Sequence, residues 1–360
     1  MDGHYKNKVI YLSMLPINNY IKTNFYYNEL SKMYKVEFWD VSQLVNYPNY
    51  KKKNTFLSFQ NLKEKINQNK KNIFISLLTY DLKTYKIHRL LYKMNCFLIY
   101  FNWGSQPIKY KKNIYEKLIE LKLNNTKNLI YQKLNYIIYN ISFFFGLLKK
   151  PELEFVAGNF LYNSKGKNKK VKINLHDNDF FLKSKEIKKK DKYFLFIDNN
   201  MSDHEDGKYI FGNKIFNFII YQKNLENFFR FIEKKFNTKV IIAPYYKYKR
   251  SYENFLQSRF GKKHISRLVR EAAVVMLHHT TAISYPVLNY KPIIFLTNTQ
   301  IENSPIKQFS NDINALSIFL DSIKINTNNF SNFKIPIVNK LKYEKYIDLF
   351  IGSKKNNKKI

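Results

Sequence analysis

At 360 residues the chain is long for a single compact core, so two domains are expected. With 45% hydrophobic and 17% aromatic residues it can fill an interior, which excludes a globally disordered polypeptide. The formal charge of +35 favours anionic partners, yet only six of the 62 basic residues are arginine (Arg89, Arg230, Arg250, Arg259, Arg267 and Arg270). Lys, Asn, Ile, Tyr and Phe are abundant together, as A/T-rich codons would make them, so the charge does not choose between nucleotides, lipid headgroups and acidic glycans.

Short apolar runs alternate with longer amphipathic ones, the pattern of βαβ units around parallel sheets. In the first half, strands are predicted at KVIYLSML (8–15), KVEFWDVS (35–42), NIFISLL (72–78) and CFLIYFN (96–102). Helical patterns follow the first strand (18–34), precede the fourth (84–95) and fill roughly 113–149. Cys96 is a lone cysteine in an apolar run and reads as core, with no disulfide framework, which fits a reducing cytoplasmic compartment. No secretory leader pattern opens the chain, and no run reaches the roughly 20 apolar residues of a spanning helix. KLNYIIYNISFFFGLLKK (133–150) comes nearest, and it reads either as a buried amphipathic helix or as an interfacial membrane helix.

LEFVAGN (153–159) begins a crossover region that continues through the basic, turn-rich NSKGKNKK (163–170) and NLHDNDFFL (174–182). Beyond it, strands are predicted at 192–200, 238–246, 272–279 and 292–297, and helices at 213–237, 252–260, 265–272, 280–290 and 339–352. The fold class is therefore α/β, with two Rossmann-like domains whose parallel sheets face a cleft. Their bounds are 1–150, a crossover region at 151–190, a second domain at 191–335, and a terminal helix with a basic tail at 336–360.

The stretch AVVMLHHTTAISYPVLNYKPIIFLT (273–297) carries the sharpest chemistry. His278 and His279 end a predicted strand and Thr280 and Thr281 begin a predicted helix, the junction at which open α/β sheets bind ligands. Free amides and the helix dipole favour an anion there, and a threonine hydroxyl can cap the helix or donate to a phosphate oxygen. The plainer alternatives are an N-cap threonine and a histidine that finishes a strand. FLFIDNNMSDHEDG (194–207) places Asp198 at a strand end and Asp203, His204 and Asp206 in a polar loop that is either a general-base site or a solvated turn. Asp177 and Asp179 form an Asp-X-Asp that reads either as a metal-type carboxylate pair or as an interdomain turn. Arg250, Arg259, Arg267 and Arg270 either line a phosphate site or sit on solvated helix faces.

The residues His279, Thr280, Thr281, Ala282, Lys291 and Pro292 resemble the C-terminal-domain motif of GT-B glycosyltransferase-like proteins of bacterial capsule and lipopolysaccharide biosynthesis. The hydroxyl pair and Glu205-Asp206-Gly207 are similar to motifs of some bacterial sialyltransferases. The resemblance is best over 192–297. It implies a glycosyltransferase that moves a sugar, for instance a CMP-activated acidic one, from a nucleotide donor to a cell-surface glycan or glycolipid acceptor. The first domain would then hold the acceptor and the second the donor nucleotide. Asp206, or Asp203 or His204, would accept the acceptor's proton, and His279, Thr280 and Thr281 would hold the donor phosphate. The family's His-Pro pair is replaced by a stretch in which Tyr245 and Lys247 stand where a phosphate contact belongs. No metal and no cofactor beyond the nucleotide sugar is implied, and Asp177 and Asp179 are secondary candidates. The alternative is a basic module without enzymatic activity, bound to an anionic membrane or to nucleic acid. No zinc-finger spacing or RNP-like strand supports nucleic acid, which is not an expected partner. The expected location is the cytoplasm, with peripheral attachment to the inner face of its membrane.

Overall fold

The computed structural model describes residues 8–46, 56, 58–103, 106–107, 126–148, 150–164, 168–183, 193–199, 217–244, 254–303 and 307–352. Two compact units divide it. The first comprises 1–103, 127–156 and 162–173, and the second 104–126, 157–161 and 174–360.

In the first unit, runs of aliphatic and aromatic residues form strands buried on both faces, the signature of a sheet covered by helices. The strands are β1 Lys8–Ser13, β2 Lys35–Asp40, β3 Ile73–Ser76, β4 Phe97–Asn102, β5 Leu153–Ala157 and β6 Lys169–Ile173, in the order β2-β1-β3-β4-β5-β6. The pairs β1·β2, β1·β3, β3·β4 and β4·β5 are all parallel. The crossover region thus supplies two strands that its sequence conceals. β6 reads KKVKI, and lysines on an outer strand discourage further pairing while masking the apolar period. The single helix expected at 18–34 is broken into Asn19–Asn24 and Tyr27–Leu30 because Tyr26 adopts a positive φ of 57° between them.

The second unit holds β7 Tyr193–Ile197, β8 Lys239–Ala243, β9 Val274–Leu277, β10 Ile293–Thr297 and β11 Ile323–Asn326, in the order β11-β10-β9-β7-β8, every pair parallel. The helix Phe218–Phe236 covers it, burying Tyr221, Leu225, Phe228, Phe229 and Ile232 on one stripe. Asn217 caps its first turn by accepting from the Ile219 and Ile220 amides, and Asn237 ends it in the left-handed region at φ 45°. The terminal helix expected at 339–352 is Lys340–Tyr346 followed by a π-helical turn, Ile347–Ile351. That turn runs against Gly158, where φ is +72° and a Cβ would overlap the Leu349 carbonyl, so glycine is required there. Leu175 N–H donates to the Ile351 carbonyl at 2.7 Å, holding the same segment.

Each unit therefore contains its own parallel Rossmann-like sheet, as the alternating pattern implied. Among the described residues, no helix is long and apolar enough to cross a membrane.

Candidate functional site

Numbered within the second unit, its strand order is 2-1-3-4-5: the chain leaves β7 toward β8 on one side, and β9 lies on the other. The strand order reverses between β7 and β9, which opens a crevice beyond their carboxyl ends. Asp198 and Asn199 follow β7 there, and His278, His279, Thr280 and Thr281 follow β9.

The two histidines do different things because strand alternation sends them to different surroundings. His278 is fully buried. Its Nδ1 meets the Leu296 carbonyl at 2.7 Å and its Nε2 meets the Tyr221 hydroxyl at 2.9 Å. Neutral imidazole satisfies both contacts if Nδ1 donates and Nε2 accepts. Burial presses its pKa down to about 4, which keeps it in that form at neutral pH. His278 is a strut that ties the covering helix to β10.

His279 lies at the carboxyl end of β9 and is half-buried. Its Nε2 is buried, makes no hydrogen bond and lies 3.8 Å from Asp312 Oδ2, on the helix Lys307–Leu320. Burial lowers the His279 pKa and the Asp312 carboxylate opposes that shift. The result is a neutral imidazole with an anion close enough to stabilise a proton when one arrives.

Two amides clamp the backbone of the same turn. Asn199 Nδ2 donates to the His279 carbonyl at 2.6 Å, and Gln106 Nε2 donates to the Thr280 carbonyl at 2.9 Å. Each amide nitrogen is used in this way, while Asn199 Oδ1 and Gln106 Oε1 are buried without a hydrogen-bond partner. At the ends of β10 and β11, Thr297 Oγ1, Asn298 Nδ2 and Thr327 Oγ1 are buried and unpartnered as well. Native interiors leave few such atoms, and a cluster of them along one sheet edge marks a place prepared for something polar.

Thr280 is the cap: its Oγ1 accepts from the Ala282 amide at 3.3 Å. Thr281 is exposed. The helix expected over 280–290 is a 3₁₀ turn, Thr281–Ile283, running into a single α-turn, Ser284–Leu288. Pro286 is tolerated because it lies in the first turn, where its missing N–H would have no helical acceptor. So short a helix has little dipole, and the burden of holding an anion passes to side chains and free amides.

No protein-family model matches the chain, and no curated protein matches it. Solved structures resemble it distantly. A UDP-GlcNAc 2-epimerase of Methanocaldococcus jannaschii, in complex with UDP-GlcNAc and UDP, is 13% identical over 95% of this chain and 98% of its own, with a TM-score of 0.43. A spinosyn forosaminyltransferase is 8% identical over 97% and 91%, at 0.46. A wall teichoic acid polymerase is 11% identical over 96% and 84%, at 0.45. Likeness this remote carries nothing on activity, and the fold rests on the sheet order itself.

Of the residues singled out from the sequence, His279, Thr280 and Thr281 come together at the switch point with Asp198 close by in the chain order of the adjacent strand end. Asp203, His204, Asp206, Tyr245 and Lys247 lie outside the described residues. Asp177 and Asp179 fall in the first turn of a helix, His176–Lys183, where a metal-type pair or a turn was expected. Asp177 is buried, accepts from the Ser284 hydroxyl and pairs with His176 Nε2 at 3.0 Å, so its work is to fasten that helix to Ser284–Leu288. Among the described residues, no group of three His, Cys, Asp or Glu could hold a metal ion. Arg250 lies outside the described residues, and the other three arginines are employed elsewhere. Arg259 forms a two-pronged pair with Glu233, Arg267 pairs with Glu271 at 3.2 Å, and Arg270 donates to the Phe181 carbonyl at 2.8 Å. Asp312, Gln106 and Asn199 are the site residues that sequence reading missed. Asp312 had a signal, since it shares a helical stripe with the buried Ile313, Leu316 and Leu320, where an unpaired carboxylate would be costly.

Proposed function

We propose that the chain is a glycosyltransferase that moves a sugar from a nucleotide-activated donor to a cell-surface glycan or glycolipid acceptor. The observation that carries this reading is the set of buried, unpartnered polar atoms around His279 and Thr280 at the switch point of the second sheet. Such a crevice fits a nucleoside diphosphate or monophosphate, whose oxygens accept from the Thr281 hydroxyl and from His279. In the transfer, the bond between the sugar's anomeric carbon and the phosphate oxygen breaks, and the nucleotide leaves with the electron pair. The acceptor hydroxyl forms the new bond, and its proton passes to Asp206, with Asp203 and His204 as the alternatives. Charge grows on the departing phosphate only as the bond breaks. A neutral imidazole beside Asp312 responds at that moment, donating a hydrogen bond that strengthens as the oxygen becomes anionic. A CMP-activated acidic sugar is the sharper form of the donor, and the cytoplasmic face of the membrane is the expected place of work.

Calorimetric titration of the full chain with CMP, UDP and their sugar conjugates tests the reading. Saturable binding of at least one nucleotide is expected, weakened about tenfold in His279→Ala by loss of one contact of about 1.4 kcal/mol. Absence of saturable binding across the panel, or binding indifferent to His279→Ala, would overturn it.

A further inference from the structure

The helix Thr126–Phe144 in the first unit is built inside out. Its inward side carries polar groups that hydrogen-bond to the neighbouring segments. Tyr139 donates to the Asp81 carbonyl at 2.9 Å, Ser142 meets the Tyr85 hydroxyl at 2.9 Å, and Asn135 donates to the Tyr80 carbonyl at 3.2 Å. Tyr80, Tyr85, His88 and Phe143 close around Tyr139 as a ring cluster. The outward side is apolar. Leu134, Ile137, Ile141, Phe144 and Phe145 are exposed, the last two by 84% and 67%, and Leu147 continues the surface. At 100° per residue these five fall within an arc of about 100°, so they form one stripe. Water alone would select the opposite arrangement, with the aliphatic stripe inside and the tyrosine and serine out.

We infer that this stripe docks on an anionic lipid surface. The charge around it chooses the occupant. Residues 121–151 contain no Asp or Glu. The helix Tyr85–Lys93, which packs beside it through Tyr85 and His88, is also free of acidic residues and exposes Lys86 and Lys93, while Lys150 is exposed just past the stripe. Asp81, at the start of that helix, accepts from the Lys83 and Thr84 amides. An apolar stripe flanked by cations is the arrangement by which a helix lies in the headgroup region, with aromatic side chains sunk to the acyl boundary. Phe144 and Phe145 stand edge to face at 5.2 Å at the end of the helix, followed by Gly146 at φ +64°, where the chain turns away. The inference is independent of the transferase reading, because a basic module without activity would dock by the same face.

Co-flotation of the full chain with vesicles of phosphatidylcholine, with and without phosphatidylglycerol, provides the test. The chain is expected to float with the anionic vesicles, and Ile141→Ser/Phe144→Ser/Phe145→Ser is expected to lose at least tenfold in partitioning. These side chains are exposed, so the variant keeps its fold, which circular dichroism checks. Lys86→Glu/Lys93→Glu leaves the stripe intact and is expected to lose about fivefold or more per lysine on anionic vesicles alone. The inference is overturned if the wild type floats with neither vesicle. It is equally overturned if the serine variant floats as well as the wild type. A third contrary result would be sedimentation showing a dimer that the serine variant abolishes, since the stripe would then belong to a second copy.

Discussion

The two sheets share a strand order up to their fifth strand, 2-1-3-4-5, yet their carboxyl ends are chemically unlike. In the first unit β1 and β3 end in Ser13 and Ser76, and the chain continues as Met14-Leu15 and Leu77-Leu78. Ser13 Oγ accepts from the Leu15 amide at 2.9 Å and Ser76 Oγ from the Leu78 amide at 3.3 Å, so each hydroxyl serves its own loop. In the second unit the equivalent positions carry Asp198-Asn199 and His278-His279-Thr280, and buried polar atoms are left over. The same topology thus ends β1 and β3 in hydroxyls that serve their own loops, and β7 and β9 beside buried polar atoms that are left over. A crevice is a consequence of strand order, but what it can bind depends on polar groups that the fold itself does not consume.

The largest way to break that contrast is to remove the strut behind the second edge. His278→Leu keeps the volume but removes the two ring nitrogens that meet the buried Tyr221 hydroxyl and the Leu296 carbonyl, at about 1–3 kcal/mol for each lost buried contact. Urea denaturation of the full chain is expected to show a loss of about 2–4 kcal/mol in the second unit's transition. Adding Tyr221→Phe removes the hydroxyl that met Nε2, so the double variant should recover part of the loss. A single variant costing under about 0.5 kcal/mol, the scale of a surface change, would show that His278 ties nothing together.

Acidification acts next, and on both units, because each has a deeply buried histidine among its described residues. Burial lowers His88 in the first unit and His278 in the second to about 4 from an ordinary 6.5. Below pH 6.5 the unfolded chain takes up protons that the folded chain refuses. Stability is therefore complete above that pH and falls as pH drops toward 4, by about 3 kcal/mol per histidine at the limit. His88→Phe should flatten the acid slope of the first unit's transition and leave the second's steep. Equal slopes in wild type and variant would exclude His88 as the cause.

Both parallel sheets and most of their strands could be read from apolar runs, since a strand buried on both faces has no polar residues to disguise it. What escaped reading was short, edge-placed or lysine-bearing: β6, β11 and the helices Phe59–Asn69 and Lys307–Leu320. The site was legible where sequence neighbours are spatial neighbours, as in His279-Thr280-Thr281. It was not legible where residues far apart in the chain meet, as Gln106 meets Thr280 and Asp312 approaches His279. The weight given to a helix dipole was misplaced for a related reason. Pro286 and the 3₁₀ turn limit that helix to little more than two turns, and only the backbone geometry reveals it.

The smallest expected effect separates the kinds of hydroxyl most finely. Ser13 serves only its loop, Thr280 caps a turn inside the proposed site, and the exposed Thr281 bonds nothing structural in the geometry above. Ser13→Ala should therefore cost about 1 kcal/mol of stability in the first unit and leave nucleotide binding unchanged. Thr280→Ala should cost a similar amount, about 1 kcal/mol for a lost cap, and weaken binding as well. Thr281→Ala should change stability by no more than about 0.5 kcal/mol and still weaken binding. Thermal unfolding without UDP and at one fixed excess of UDP reads both quantities at once, because a ligand bound only to the folded state stabilises it by an amount that grows with the logarithm of its concentration over Kd. If Thr281→Ala keeps the full UDP-dependent shift, the exposed hydroxyl is not a phosphate contact, and the anion must be held by the rest of the proposed site.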